Sequence, residues 1–107
     1  MNSEEWMVTQ KIINKHDIIE FLHKNKLFLQ EHFGIKSIAL FGSYARGEET
    51  LSSDIDLVID TETVSFKNYC RLKEYLENNF LRSVDLCYLR GMRSFIRQAI
   101  EKDLIYA

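Results

Sequence analysis

The sequence has little of what marks several protein classes. No proline, repeat or low-complexity tract divides its 107 residues, so we expect one domain over residues 1–107 and not two separate cores. Cys70 and Cys87, the two cysteines, lack the spacing of a metal site, and we expect two buried thiols and no disulfide. A secretory signal and an apolar run long enough to span a bilayer are also lacking. These absences favour a cytoplasmic protein that does not enter a membrane.

Neither sign of charge is in clear excess, because 14 Lys and Arg stand against 16 Asp and Glu, for a formal net charge of −2. Proteins that coat nucleic acid usually carry a basic surplus, so we expect no stable nucleic-acid binding. A small phosphorylated substrate is compatible with this balance, since it needs only local positive groups. The hydrophobic share of 46% is sufficient for a packed interior and argues against disorder.

Apolar periodicity predicts the order of the helices and strands. It predicts helices over residues 17–33, 66–80 and 92–104, strands over residues 37–41, 55–59 and 84–89, and a short turn or helix at residues 44–47. We expect Asp17 to begin the first helix, Gly34 to end it and Ser65 to cap the second. The side chains expected to face inward from helix 66–80 are Phe66, Tyr69, Cys70 and Leu76.

This order predicts an α/β (α+β) fold, with a small mixed three-stranded sheet and helices packed mainly on one face. Residues 1–16 are compatible with a further helix through Trp6, Val8, Ile12 and Ile13, but they do not specify one.

Asp54 and Asp56 stand two residues apart at the start of the predicted strand 55–59. Residues at that spacing on a strand point to the same face, with Cα atoms about 6.5–7 Å apart. Two carboxylates so placed repel each other unless a cation neutralises them. Mg²⁺ prefers one or two carboxylates together with phosphate and water, and two such ions about 3.5–4 Å apart serve in-line phosphoryl displacement.

Asp85 is the candidate for a third ligand. Val84 and Leu86 are expected to face the helices, so Asp85 emerges on the opposite face, beside the first pair if the two strands are neighbours. A carboxylate inside an apolar strand is costly unless it is paired or binds a metal.

Gly42 and Ser43 follow the predicted strand 37–41, where a helical turn begins. A glycine allows close backbone approach, and free N–H groups at a helix start attract phosphate. The Ser43 hydroxyl adds a hydrogen bond, and Arg46, one turn on, can hold a phosphate oxygen with its guanidinium group. Each feature also has a plain interpretation: a Gly-Ser turn, an Asp-x-Asp loop or helix cap, a surface arginine, or an edge-strand carboxylate at Asp85. We favour the functional interpretation because the features occur together.

The segment that contains these residues resembles a known signature. Gly42-Ser43, ten further residues and then Asp54-Ile55-Asp56 are similar to the Gly-Ser-x10-Asp-x-Asp pattern of the DNA polymerase β-like nucleotidyltransferase superfamily. The fuller runs Phe41–Glu48 and Ser53–Leu57 resemble its minimal nucleotidyltransferase (MNT) branch. The resemblance extends from about Ile35 to the last helix, and it departs at Leu51, where relatives often have proline.

The resemblance implies a nucleotidyltransferase fold and a Mg²⁺-dependent transfer of AMP from ATP to a hydroxyl. Asp54 and Asp56 would then ligate two metal ions, Asp85 would complete the catalytic metal site and help to activate the acceptor, and Gly42 and Ser43 would bind the triphosphate. Members of this branch often pair with HEPN-domain toxins. The resemblance therefore also implies a type VII antitoxin that adenylylates its HEPN partner, usually on tyrosine.

Two other functions stay open at this point. The same chemistry could act on a small molecule such as an aminoglycoside, or the chain could be a non-catalytic antitoxin that neutralises its partner by binding. Arg90, Arg93 and Arg97 are predicted on one face of the last helix, either as a solvated face or as contacts to the partner or to phosphates. No ligand pattern involves the three histidines, which we expect at the surface: His16, His23 and His32.

Overall fold

Helices and strands alternate along the part of the chain that the computed structural model describes, residues 13–107. The elements are α1 (Lys15–Lys24), α2 (Lys26–Phe33), β1 (Ile35–Phe41), α3 (Gly42–Arg46), β2 (Ile55–Thr61), α4 (Phe66–Phe80), β3 (Val84–Tyr88), α5 (Ser94–Glu101) and β4 (Ile105–Tyr106). The strands form one mixed sheet in the order β3-β2-β1-β4. β1 is antiparallel to β2 and β4, whereas β2 and β3 are parallel. The predicted α/β class is confirmed.

The predicted number of strands was wrong, because β4 makes the sheet four-stranded. Ile105 and Tyr106 pair with Leu40 and Ala39 of β1. Two residues are too few to show the alternation by which a strand is recognised. Their strand conformation depends on the free backbone edge of β1, which only the folded sheet provides.

Side chains of the sheet alternate between two faces of different character. The first face is buried under helices and consists of Ile38, Leu40, Ile55, Leu57, Ile59, Val84 and Leu86. The helices add to the same core Ile18, Leu22, Leu29, Phe33, Leu72, Leu76 and Phe80. The opposite face carries Asp56, Asp60 and Asp85, with the buried Ala39 and Val58 between them, and we call it the acidic face. Packing of helices on one face is thus confirmed for α1, α2 and α4.

The predicted single helix over residues 17–33 is two helices. Asn14, not Asp17, caps α1: its side chain accepts a hydrogen bond from the Asp17 backbone N–H, and the Asp17 side chain accepts one from the Asn14 backbone N–H. Asn25 separates α1 from α2, and its side-chain amide donates to the Phe21 carbonyl at 2.8 Å. An Asn side chain that bonds to nearby backbone competes with the helix in this way. Gly34 ends α2 in the left-handed conformation, as predicted.

Helix α4 has the predicted bounds and the predicted Ser65 cap, but two of its inward-facing residues were wrong. Phe66 is 81% exposed and Cys70 is also exposed. The buried stripe instead has a spacing of four residues, at Leu72, Leu76 and Phe80. Cys70 and Cys87 are both free thiols, and the predicted burial is wrong for Cys70, which is exposed, while Cys87 is half-buried.

Helix α5 is shorter than the predicted helix over residues 92–104, and none of its side chains is fully buried. Arg93 is its N-cap residue, and Arg90 lies before the helix, where it donates a hydrogen bond to the Thr61 carbonyl at 2.8 Å. The three arginines therefore do not share one helical face. The predicted face required a helix that began before Arg90, but the chain turns at Gly91, which has a φ of 83°.

The sequence is compatible with a further helix near the N-terminus. That segment falls almost wholly on residues 1–12, which lie outside the described residues, and Ile13 precedes α1. His16, His23 and His32 are exposed, as predicted. Within residues 13–107 no helix has the length and apolarity needed to cross a membrane.

Candidate functional site

The predicted carboxylates meet at the end of the sheet where β1 ends and β2 and β3 begin. Asp56 of β2 is the direct partner of Asp85 in the parallel pairing with β3, and of Phe41 in the antiparallel pairing with β1. Direct partners point to the same face, so Asp56 and Asp85 are neighbours on the acidic face. Asp54 lies two residues earlier, immediately before β2, and is exposed. The predicted neighbourhood of Asp56 and Asp85 is therefore confirmed.

One part of the argument for Asp85 was wrong. Its side chain is exposed and not buried, because nothing covers this end of β3 among the described residues. Val84 and Leu86 face the core, as the alternation predicts. The Asp85 carboxylate thus needs no buried partner, and its exposure leaves it accessible to a substrate.

Asp56 is the carboxylate most affected by its surroundings. Its pKa is raised above the ordinary value, first by burial of the side chain and then by the negative charges of Asp85 and Asp54, while Arg46 acts in the opposite direction. Burial and like charges both disfavour ionisation. A cation bound between these carboxylates would relieve that repulsion, so the residues fit the predicted Mg²⁺ site.

No three His, Cys, Asp or Glu side chains within residues 13–107 form a ready metal cage. Mg²⁺ does not require one, because it keeps several waters and commonly takes one or two carboxylates plus substrate phosphates. Asp56 and Asp85 provide such a partial set, with Asp54 beside them.

Gly42 has a role that the sequence did not reveal. Its φ is +75°, and a Cβ built on it would overlap Asp56 Oδ2 and lie 3.0 Å from Asp56 Cγ. The sequence argument explained this glycine by the approach of a phosphate. In the folded protein the space above Gly42 is already filled by the Asp56 carboxylate, so Gly42 also fixes where that carboxylate stands. Glycine is the one residue that meets both requirements.

Ser43 and Arg46 lie on α3, which leads away from Gly42. The Arg46 guanidinium group donates to Glu48 Oε1 at 2.7 Å and to Asp103 Oδ2 at 3.4 Å. The Arg46 side chain stays exposed in both ion pairs, so these contacts orient it without enclosing it. Asp103 was missed by the sequence argument, since it is 57 residues away from Arg46 in the chain and no local pattern marks it.

Comparison with known proteins gives the family. Residues 17–107 match the family model described as Polymerase beta, Nucleotidyltransferase. The chain belongs to this nucleotidyltransferase family. A protein from Methanocaldococcus jannaschii, provisionally named a protein adenylyltransferase, is 44% identical over 94 residues, 84% of this chain and 94% of the relative. The protein adenylyltransferase MntA of Thermococcus cleftensis is 33% identical over 96 residues, 89% of this chain and 97% of the relative.

Solved structures agree with this nucleotidyltransferase assignment. One described provisionally as a minimal nucleotidyltransferase has a TM-score of 0.72 at 28% identity, over 87% of this chain and 95% of that chain. A toxin–antitoxin crystal structure with AMP-PNP has a TM-score of 0.65 at 26% identity, over 88% and 72%. An MNT antitoxin in complex with a tri-AMPylated Shewanella oneidensis HEPN toxin shares the fold, with a TM-score of 0.55 at 24% identity, over 87% and 67%. The predicted minimal nucleotidyltransferase family is confirmed.

Proposed function

We propose that this nucleotidyltransferase is a Mg²⁺-dependent protein adenylyltransferase. It transfers AMP from ATP to a hydroxyl, that of a tyrosine, on a HEPN-domain toxin, and so acts as the antitoxin of the pair in the cytoplasm. The observation that carries the proposal is the Asp56–Asp85 pair on the acidic face, with Gly42 against Asp56. The protein adenylyltransferase names of the relatives and the AMP-PNP complex of a related toxin–antitoxin pair support the nucleotide and the protein acceptor.

Asp54, Asp56 and Asp85 are the residues that would hold two Mg²⁺ ions. When bound, the ions would neutralise charge on the triphosphate and on the carboxylates. Gly42 and Ser43 would contact the triphosphate through backbone N–H groups and the Ser43 hydroxyl. These roles agree with the raised pKa of Asp56, since a group that resists ionisation alone becomes a good ligand beside a cation.

The transfer forms a bond from the acceptor oxygen to the α-phosphorus and breaks the bond from that phosphorus to the departing pyrophosphate. The proton of the acceptor hydroxyl passes to the Asp85 carboxylate, which is exposed and within reach of an incoming group. The positive charge of Arg46 partly opposes the rise in the pKa of Asp56, so Arg46 lies near this carboxylate. Its guanidinium group would hold a phosphate oxygen. In-line attack also requires the acceptor oxygen roughly 3–3.5 Å from the phosphorus.

A protein acceptor fits the exposure of the site better than a small one. Asp54, Asp85 and Arg46 are all exposed, and residues 13–107 contribute one sheet with its helices and no second lobe to enclose an aminoglycoside. A partner protein can supply both the hydroxyl and the missing wall of the site.

Transfer of label from ATP tests the proposal directly. Incubation of the wild-type protein with Mg²⁺, α-labelled ATP and a HEPN-domain toxin should give a labelled HEPN chain, with whole AMP increments in its intact mass. Asp56→Asn should abolish the label. Asp60→Asn is the matched control, because Asp60 also lies on β2 and the acidic face but pairs with Arg90 and Lys36 at the other end. Asp60→Asn should label the toxin like the wild type.

Two outcomes would refute the proposal. Full labelling by Asp56→Asn would show that the carboxylates take no part in AMP transfer. If Asp56→Asn labels nothing yet protects cells from the toxin as well as the wild type does, neutralisation occurs by binding and not by transfer.

A further inference from the structure

Helix α5 carries an apolar surface that nothing in the described part of the chain covers. Phe95 is 64% exposed and Ile96 is 41% exposed, and Ala99 is exposed one turn after Phe95. At 3.6 residues per turn these three side chains lie on one side of the helix. We call Phe95, Ile96 and Ala99 the α5 patch. Exposed adjacent apolar side chains of this size commonly mark a surface that binds another molecule.

Residues just before and just after α5 contact Asp60 on the acidic face and Arg46 beside the site. Before the helix, Arg90 contacts Asp60 at 3.7 Å, at the far end of the acidic face. After the helix, Asp103 accepts a hydrogen bond from Arg46 beside the site. Asp60 follows Asp56 by four residues of strand, about 13 Å, and the eight residues of α5 span about 12 Å. The helix therefore bridges the length of the acidic face and ends at the site.

Positive charge borders the patch on both sides. Arg93 lies about 60° from Ile96 around the helix axis and Lys102 about 20° from Phe95, and both are exposed. The one acidic residue within α5, Glu101, lies about 100° or more from each of Phe95, Ile96 and Ala99 around the helix axis. An apolar centre with a cationic border is complementary to an apolar surface bordered by Asp and Glu. Two copies of this chain would bring like charges together, which disfavours self-association through the patch.

We propose that the α5 patch is the docking surface for the acceptor protein, which presents to it an apolar area bordered by carboxylates. The inference rests on the proposed function in that the acceptor is a protein. Docking on α5 holds that protein over the acidic face. The hydrogen bond from Arg46 to Asp103 connects the end of α5 to the nucleotide site. The surface thus supplies the proximity that the exposed site does not provide by itself.

Binding without ATP tests the docking surface separately from the chemistry. Calorimetry with the same HEPN-domain toxin should show that Phe95→Glu weakens binding by about 30-fold or more, the loss typical of a hot-spot residue. Lys102→Glu should weaken it by about tenfold and should flatten its dependence on salt. The matched controls are Phe66→Glu and Lys67→Glu, both exposed on α4, and both should bind like the wild type. Each variant should still bind AMP-PNP, which shows that the fold is intact.

The outcomes separate the two proposals. If the wild type labels the HEPN protein and Phe95→Glu and Lys102→Glu bind as tightly as it does, the docking surface is wrong and the proposed function stands. If Phe95→Glu loses binding but the wild type never transfers label, the docking surface stands and the proposed function is wrong. Light scattering that finds a wild-type dimer, dissociated by Phe95→Glu, would assign the patch to a second copy and overturn the inference.

Discussion

Substitution of Gly42 by alanine separates the effect of backbone strain from the effect of displacing the Asp56 carboxylate, to which we assign a catalytic role. An L-residue at the Gly42 φ of +75° is strained by about 1–2 kcal/mol. The new Cβ also overlaps Asp56 Oδ2 and lies 3.0 Å from Asp56 Cγ, short of an ordinary contact. The Asp56 carboxylate must therefore move by about 1 Å, and a displacement of that size at a catalytic group costs about 100-fold in rate.

Gly47→Ala is the matched control for this experiment. Gly47 has a φ of +71°, and a Cβ on it would meet nothing within 4 Å. Both variants should lose about 1–2 kcal/mol in urea unfolding, from the positive φ alone. We expect only Gly42→Ala to lose about 100-fold in kcat for AMP transfer, with labelled ATP and the HEPN protein as substrates. Equal transfer rates for the two variants would show that the position of Asp56 against Gly42 does not matter to catalysis.

Three further predictions concern charge, phosphate contact and helix capping. Because the pKa of Asp56 is raised in the folded state, ionisation of this carboxylate at higher pH destabilises the fold. Asp56→Asn should therefore have the same Tm as the wild type or a higher one at pH 7, and the difference should vanish as the pH falls towards 3.8. A lower Tm of Asp56→Asn at pH 7 would contradict this. Ser43→Ala should raise the KM for ATP and lower kcat by about tenfold or more, because it removes a hydrogen-bond donor to charged phosphate. If AMP-PNP affinity and kcat are both unchanged, Ser43 does not contact the nucleotide. Asn14→Ala should cost about 1 kcal/mol in urea unfolding, since it removes the cap of α1, whereas Asp17→Ala should cost less because it leaves the Asn14 side-chain bond to the Asp17 N–H in place.

Local rules predicted the helix and strand segments that carry their own signals. The Ser65 cap and the apolar repeat over residues 66–80 gave α4 its bounds. Alternation gave the core-facing residues of β2 and β3, but not the burial of Val58 on the opposite face. Prediction failed where two local patterns competed. Asn14 and Asp17 both qualify as cap residues, and an Asn25 side chain that bonds to backbone breaks a helix whose apolar spacing continues through it.

The sequence by itself was enough to predict the residues of the candidate site, because the Gly-Ser and Asp-x-Asp spacing and the direction of Asp85 on its strand are set by residues near each of them in the chain. Tertiary structure alone decided how those residues meet. The parallel register of β2 and β3 sets Asp56 beside Asp85, and the antiparallel pairing of β1 with β2 sets Gly42 against Asp56. The tie between Arg46 and Asp103 and the uncovered side of α5 also depend on contacts between distant segments. An apolar helical stripe predicts only that burial is favourable, and whether the covering surface comes from the same chain or from a partner is set by the packing of the whole molecule.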